Sequence, residues 1–180
     1  MPLHFAYGSN MNREAMAGRC PQSKALGLAR LPRHRLVIMR EGYANVVRDP
    51  RQTVYGVLWD IALADMRALD HYEGVSQGLY RKVMQPVLRE GGGSARALVY
   101  ISKSAAGGQP KAGYMQVLLA SAQDWGLPEA YLCQLQMLGA GSRLSAIKSA
   151  SVDGSNDSDR VEGPVKGVRA RYSSPLGPRD

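Results

Sequence analysis

This chain of 180 residues contains only two cysteines, three histidines and one phenylalanine. Cys20 and Cys133 stand far apart, which excludes a disulfide framework, and their spacing is not that of a zinc site. They read as incidental thiols in a reducing compartment. His4, His34 and His71 show no ligand spacing, so neither a metal nor another cofactor is expected. No apolar run approaches the ~20 residues of a membrane span. Met1-Pro2-Leu3-His4 lacks the basic and then apolar opening of a signal peptide. The expectation is a cytoplasmic protein with no membrane contact, either a monomer or a homodimer. A nucleophile elbow, a dinucleotide fingerprint and a P-loop are all missing. No Ser-His-Asp or Cys-His arrangement can be read.

What is present is an ordinary globular composition, 44% hydrophobic, with a net charge of +8. The basic cluster "RLPRHR" at 30–35 could meet phosphates, but no aromatic residue is interleaved and no nucleic-acid motif follows. It reads as a solvated basic loop, and nucleic acid is not an expected partner. The positive charge could still attract anionic small molecules.

Apolar alternation or compact apolar runs predict strands at 3–7, 36–39, 54–61, 81–89 and 95–102. Pro86 points to an edge or a bulge in the fourth, and "GGGS" at 91–94 to a hairpin loop. In "ALADMRALDHYEG", Leu63, Met66, Leu69 and Tyr72 recur every three residues, and Gly74 stands where a helix-ending glycine belongs. "AGYMQVLLASAQDWG" predicts a helix that ends at Gly126. "PEAYLCQLQML" predicts another, opened by Pro128 and closed by Gly139. A weaker helix is expected from Met11 to Met16. Mixed elements in this order indicate an α+β domain with a small curved or closed sheet. Residues 1–140 are expected to form the domain. Residues 141–180, rich in Ser, Gly, Asp and Arg, are expected to be a flexible tail.

Three features could carry chemistry. Glu73 precedes the glycine that ends a helix, where the partial negative charge disfavours an acid. A carboxylate there, beside Tyr72, could have a raised proton affinity and act as a general acid or base. On the residues alone, an exposed Glu that tolerates a small dipole penalty is the weightier reading. Nine tyrosines stand against one phenylalanine, with Tyr7, Tyr80, Tyr100 and Tyr114 at element ends, where hydroxyls could line a polar pocket. Finally, a first strand runs into Gly8-Ser9-Asn10. This is either a hairpin turn or a backbone cradle whose N–H groups converge on an anion or a carbonyl oxygen.

Taken together, "FAYGSNM", "YANVVRDPRQTVYGVLWDI", "LDHYEGVSQGLYRK" and "ALVYIS", followed by a Tyr-led helix ending in "WGLP", resemble the gamma-glutamylcyclotransferases over residues 3–139. The resemblance implies a small mixed β-barrel of five to seven strands flanked by helices. It implies a metal-free acyltransferase that cyclises a gamma-glutamyl group to 5-oxoproline and releases an amine or amino acid. Such chemistry belongs to glutathione turnover or to secondary metabolism. Carried over by motif, Glu73 would be the catalytic acid/base. Tyr7, Gly8, Ser9 and Asn10 would hold the gamma-glutamyl part, with Tyr80, Tyr100 and Tyr114 as pocket tyrosines. The alternative is a ligand-binding module of the same fold without turnover.

Overall fold

The computed structural model describes residues 2–104 and 106–150, with side chains described through Ala140. Five strands close into a barrel: β1 (Leu3–Ala6), β2 (Lys24–Ile38), β3 (Ala44–Asp60), β4 (Arg81–Arg89) and β5 (Ser94–Ile101), in the order β1-β3-β2-β4-β5. β1 runs antiparallel to β3 and parallel to β5, with His4 opposite Leu98 closing the ring. Helices α1 (Arg13–Arg19), α2 (Met66–Tyr72), α3 (Tyr114–Asp124) and α4 (Glu129–Ala150) accompany the sheet. The result is the expected α+β barrel. Among the described residues, no helix is long and apolar enough to cross a membrane.

The largest departure from the sequence reading lies in the second and third strands. The short runs at 36–39 and 54–61 are the ends of a long β2–β3 hairpin, paired from Lys24↔Asp60 to Ile38↔Ala44. "RLPRHR" is therefore strand, not loop. Ala29 and Leu31 point inward while Arg30 is exposed. The register then shifts between Pro32 and His34, where Arg33 adopts a positive φ of 59°. Across this irregularity Arg33 alone stands against residues 49–52 of β3, and its odd, unpaired position reverses the side-chain phase of β2. Arg33 and Arg35 are thus exposed as well, while His34 is buried with Nδ1 2.8 Å from the Pro32 carbonyl. The cluster escaped a strand reading because the bulge breaks its alternation. Pro86 lies in the part of β4 that β2 leaves unpaired, where a missing N–H costs no ladder bond to that neighbour.

The helices differ mainly at their ends. The helix expected after Asn10 is a 3₁₀ turn, Ser9–Met11, followed by α1, whose N-cap Asn12 accepts the Ala15 N–H at 2.8 Å. α2 starts at Met66, so Leu63 remains in solvent at 74% exposure. Gly74 takes the left-handed conformation (φ 62°) expected of a helix-ending glycine. α4 does not stop at Gly139 but runs on to Ala150. Gly139 lies within the helix against Met115 of α3, whose nearest atom is 3.4 Å from where a Cβ would stand, an ordinary packing distance. The sequence expectation of a flexible tail thus meets helix over 141–150, and 151–180 lie outside the described residues.

β1 must lie close to β3, and Gly56 permits this: a Cβ there would stand 2.2 Å from the Ala6 carbonyl oxygen. α3 is keyed to the start of the chain by Trp125. Its indole packs edge-on against Trp59, its Nε1 donates to the Met11 carbonyl at 2.7 Å, and the Arg13 guanidinium lies 3.3 Å above it. These contacts hold the Gly8–Met11 segment over one mouth of the barrel.

Candidate active site

The Gly8–Met11 turn, the end of α2 and the pocket tyrosines meet at that mouth. Gly8, Ser9, Asn10, Glu73, Tyr7, Tyr80, Tyr100 and Tyr114 line one small pocket together with His4, Phe5, Ala6 and Ala44. All eight residues singled out in the sequence are thus brought to one place. Across the described residues, no three His, Cys, Asp or Glu side chains group as metal ligands would.

Glu73 is the C-cap of α2, and its N–H still bonds the Leu69 carbonyl at 3.0 Å. Its side chain is not exposed; the residue retains 8% of its accessible surface. Burial raises its proton affinity to about 7, and the charge of Asp70 acts in the same direction. Two groups oppose the rise. The Asn10 amide donates to Glu73 Oε1 at 2.6 Å, and Arg19 donates to Asn10 Oδ1 at 2.8 Å, so Arg19 acts at one remove. The Arg19 guanidinium also lies 3.5 Å over the Tyr72 ring, and the Tyr72 hydroxyl is 3.1 Å from Ser9 Oγ. A carboxyl with affinity near 7 can both accept and return a proton at neutral pH. The helix end that drew attention to Glu73 is thus secondary to burial.

The tyrosine hydroxyls are committed to the scaffold. Tyr7 donates to the Tyr100 carbonyl. Tyr80 donates to the Ala44 carbonyl at 2.6 Å, and Tyr114 accepts the Ala44 N–H at 3.0 Å, so two tyrosines hold both backbone groups of one residue at the start of β3. Tyr100 donates to Asp70 at 2.7 Å. Burial pushes the Tyr7, Tyr80 and Tyr100 phenols up, which keeps them neutral. Gly8 lets this layer close up: a Cβ there would stand 3.0 Å from the Tyr114 hydroxyl.

The Gly8–Asn10 segment is a 3₁₀ turn, closed by Met11 N–H to the Gly8 carbonyl at 3.0 Å. As at the start of any helical turn, its first N–H groups have no partner within the turn. Arg19, Ala44 and Asp70 were not singled out from sequence. Asp70 left a signal, since it precedes Glu73 by three residues on one helix face. Arg19 and Ala44 left none, because only the folded chain brings Ala44 to the pocket and Arg19 to Asn10 behind it.

The AIG2-like family pattern matches residues 53–135. The human gamma-glutamylcyclotransferase is 27% identical over 146 residues, 76% of this chain and 78% of the relative. The mouse protein of that name is 29% identical over the same length and shares of each chain. A solved structure titled gamma-glutamyl cyclotransferase superposes with a TM-score of 0.70 at 26% identity, covering 75% of this chain and 86% of the other. The barrel, the ordered motifs along it and these relatives agree: in sequence and in fold the chain is similar to the gamma-glutamylcyclotransferases.

Proposed function

We propose that this protein is a gamma-glutamylcyclotransferase, converting a gamma-glutamyl amine or amino acid to 5-oxoproline and the free amine. The observation that carries the reading is Glu73, a buried carboxyl held by Asn10 at 2.6 Å with its proton affinity raised to about 7. The substrate brings its own nucleophile, the alpha-amine, so no Ser or Cys is needed. At neutral pH that amine is largely protonated, and ionised Glu73 accepts a proton from it. The amine nitrogen then attacks the gamma-carbonyl carbon, forming the new C–N bond of a five-membered ring. As the tetrahedral intermediate collapses, Glu73 returns that proton to the departing nitrogen and the bond to it breaks; the second proton on the ring nitrogen passes to the released amine, leaving a neutral lactam N–H and an ammonium product. No water, oxidant or reductant is consumed, and one carboxyl both takes and returns the first proton.

The remaining residues serve geometry and charge. Gly8, Ser9 and Asn10 would offer backbone N–H groups to the substrate's alpha-carboxylate or to the oxyanion that develops in the intermediate. Walls made by Tyr7, Tyr80, Tyr100 and Tyr114 would hold the gamma-glutamyl chain folded, with amine and carbonyl close together. The test is an assay for 5-oxoproline release over a panel of gamma-glutamyl amino acids, peptides and amines, with no metal or nucleotide added. Release from at least one compound is expected. Binding without release across the panel would favour a ligand-binding module.

A further inference from the structure

Lys82 and Asp70, which the cyclisation steps above do not use, continue from the pocket residue Tyr100 as a chain of contacts. Asp70 Oδ1 accepts the Tyr100 hydroxyl at 2.7 Å, and Oδ2 accepts the Lys82 ammonium at 2.7 Å. Donors from β4 and β5 thus hold both carboxylate oxygens, which restrains the rotamer. An ionised carboxylate can only accept hydrogen bonds, so the Tyr100 proton must point at Asp70. The weaker alternative acceptor, Met66 Sδ, is 4.0 Å away. The Tyr100 oxygen is left with lone pairs, on a residue that lines the pocket.

We propose that Asp70, locked by Lys82, is a positioning residue of the pocket: it holds the Tyr100 hydroxyl as an acceptor toward the ligand and sets a fixed negative charge behind Glu73. The proposal rests on the reading of Glu73 as the proton carrier. It assigns the Tyr100 side of the pocket to a cationic donor, such as the alpha-ammonium of a gamma-glutamyl compound. The groups that face Glu73 are Asn10 from the 3₁₀ turn, Arg19 from α1, and Asp70 and Tyr72 from α2. Tyr7 comes from β1, Tyr80 from the residue before β4, Tyr100 from β5 and Tyr114 from α3. Tyr7, Tyr72, Tyr80 and Tyr100 stay neutral, because burial raises their phenols. Two charges therefore act on Glu73 in opposite senses, Arg19 downward and Asp70 upward.

Carbon-13 labelling of glutamate side-chain carboxyls reads the titration of Glu73 without any substrate, with Glu73→Gln identifying its resonance. Asp70→Asn should move that titration to lower pH. Lys82→Met, which removes the cation neutralising Asp70, should move it to higher pH. A clamp with a merely structural role would lower thermal stability in both variants and leave the titration in place, or move it the same way in both; either result overturns the proposal. With a gamma-glutamyl substrate, Asp70→Asn should also raise KM by about tenfold, the scale of one charge-assisted hydrogen bond. An unchanged KM overturns the assignment of Tyr100. If no gamma-glutamyl compound is turned over, the cyclotransferase reading fails, while the opposed titration shifts still decide the role of Asp70.

Discussion

The Asn10 amide nitrogen lies 2.6 Å from the Glu73 carboxylate, across 63 residues of sequence. This bond joins the turn that follows β1 to the end of α2, and it works against the burial that surrounds Glu73. A neutral donor in contact with the acid stabilises the ionised form. The carboxyl is therefore held between two pulls, close to neutrality.

Replacing Glu73 by Gln should lower turnover by on the order of 10²–10⁴-fold with the fold intact, because Gln matches the size of Glu but cannot take a proton. The measurement is 5-oxoproline release beside circular dichroism. Near-native turnover in a folded variant would remove Glu73 from the mechanism.

The same variant should show a pH-dependent gain in stability. The folded carboxyl titrates near 7, above its ordinary value of 4.5. Between those two pH values the folded state keeps a proton that the unfolded state has released, so wild-type stability falls as pH rises through this window. Gln has no such titration. The melting-temperature difference, Gln variant minus wild type, should be smallest below about 4.5, grow through the window and level off above about 7. Parallel melting curves from pH 4 to 8 would contradict the burial argument.

Turnover by the wild type should fall as pH drops below about 7, with a limiting slope of one proton, because Glu73 must be ionised to accept from the amine. Asn10→Ala removes a group that favours the ionised form. The acid limb of kcat/KM should then move to higher pH. An unmoved limb would mean that another group controls it.

Tyr114→Phe should destabilise the protein by about 1–3 kcal/mol, the usual cost of leaving a buried peptide N–H without its acceptor. The N–H concerned is that of Ala44. Gly8→Ala should act on the same contact, since its Cβ presses on the Tyr114 hydroxyl, and should reduce turnover as well. Chemical denaturation of both variants tests this. Wild-type stability in Tyr114→Phe would show that the hydroxyl is not needed to hold Ala44.

Several features were legible in the sequence because their cause is local. The Leu63–Tyr72 periodicity and the Gly74 stop marked α2, since a helix repeats every 3.6 residues and ends most easily at a residue that tolerates positive φ. The Gly-Ser-Asn turn after β1, the Gly-rich hairpin before β5 and the order of the elements were readable for the same kind of reason. The ordered motifs were enough to indicate the family. The acid at the end of α2 was visible too, but as an exposed residue with a small penalty.

Burial, charge balance and register were decided by tertiary structure. Glu73 is buried because β1, β5, α1 and α3 converge on the end of α2, and desolvation depends on what surrounds a group, not on its neighbours in the chain. The basic run 30–35 became strand because its bulge lets Arg30, Arg33 and Arg35 all face solvent while β3 supplies the ladder from across the hairpin. α4 runs through Gly139, where it packs against Met115 of α3. Local patterns mark where elements begin and end, since a few adjacent residues set the backbone's choices. A site acid acquires its proton affinity only when distant segments exclude water from it and place their dipoles and charges around it.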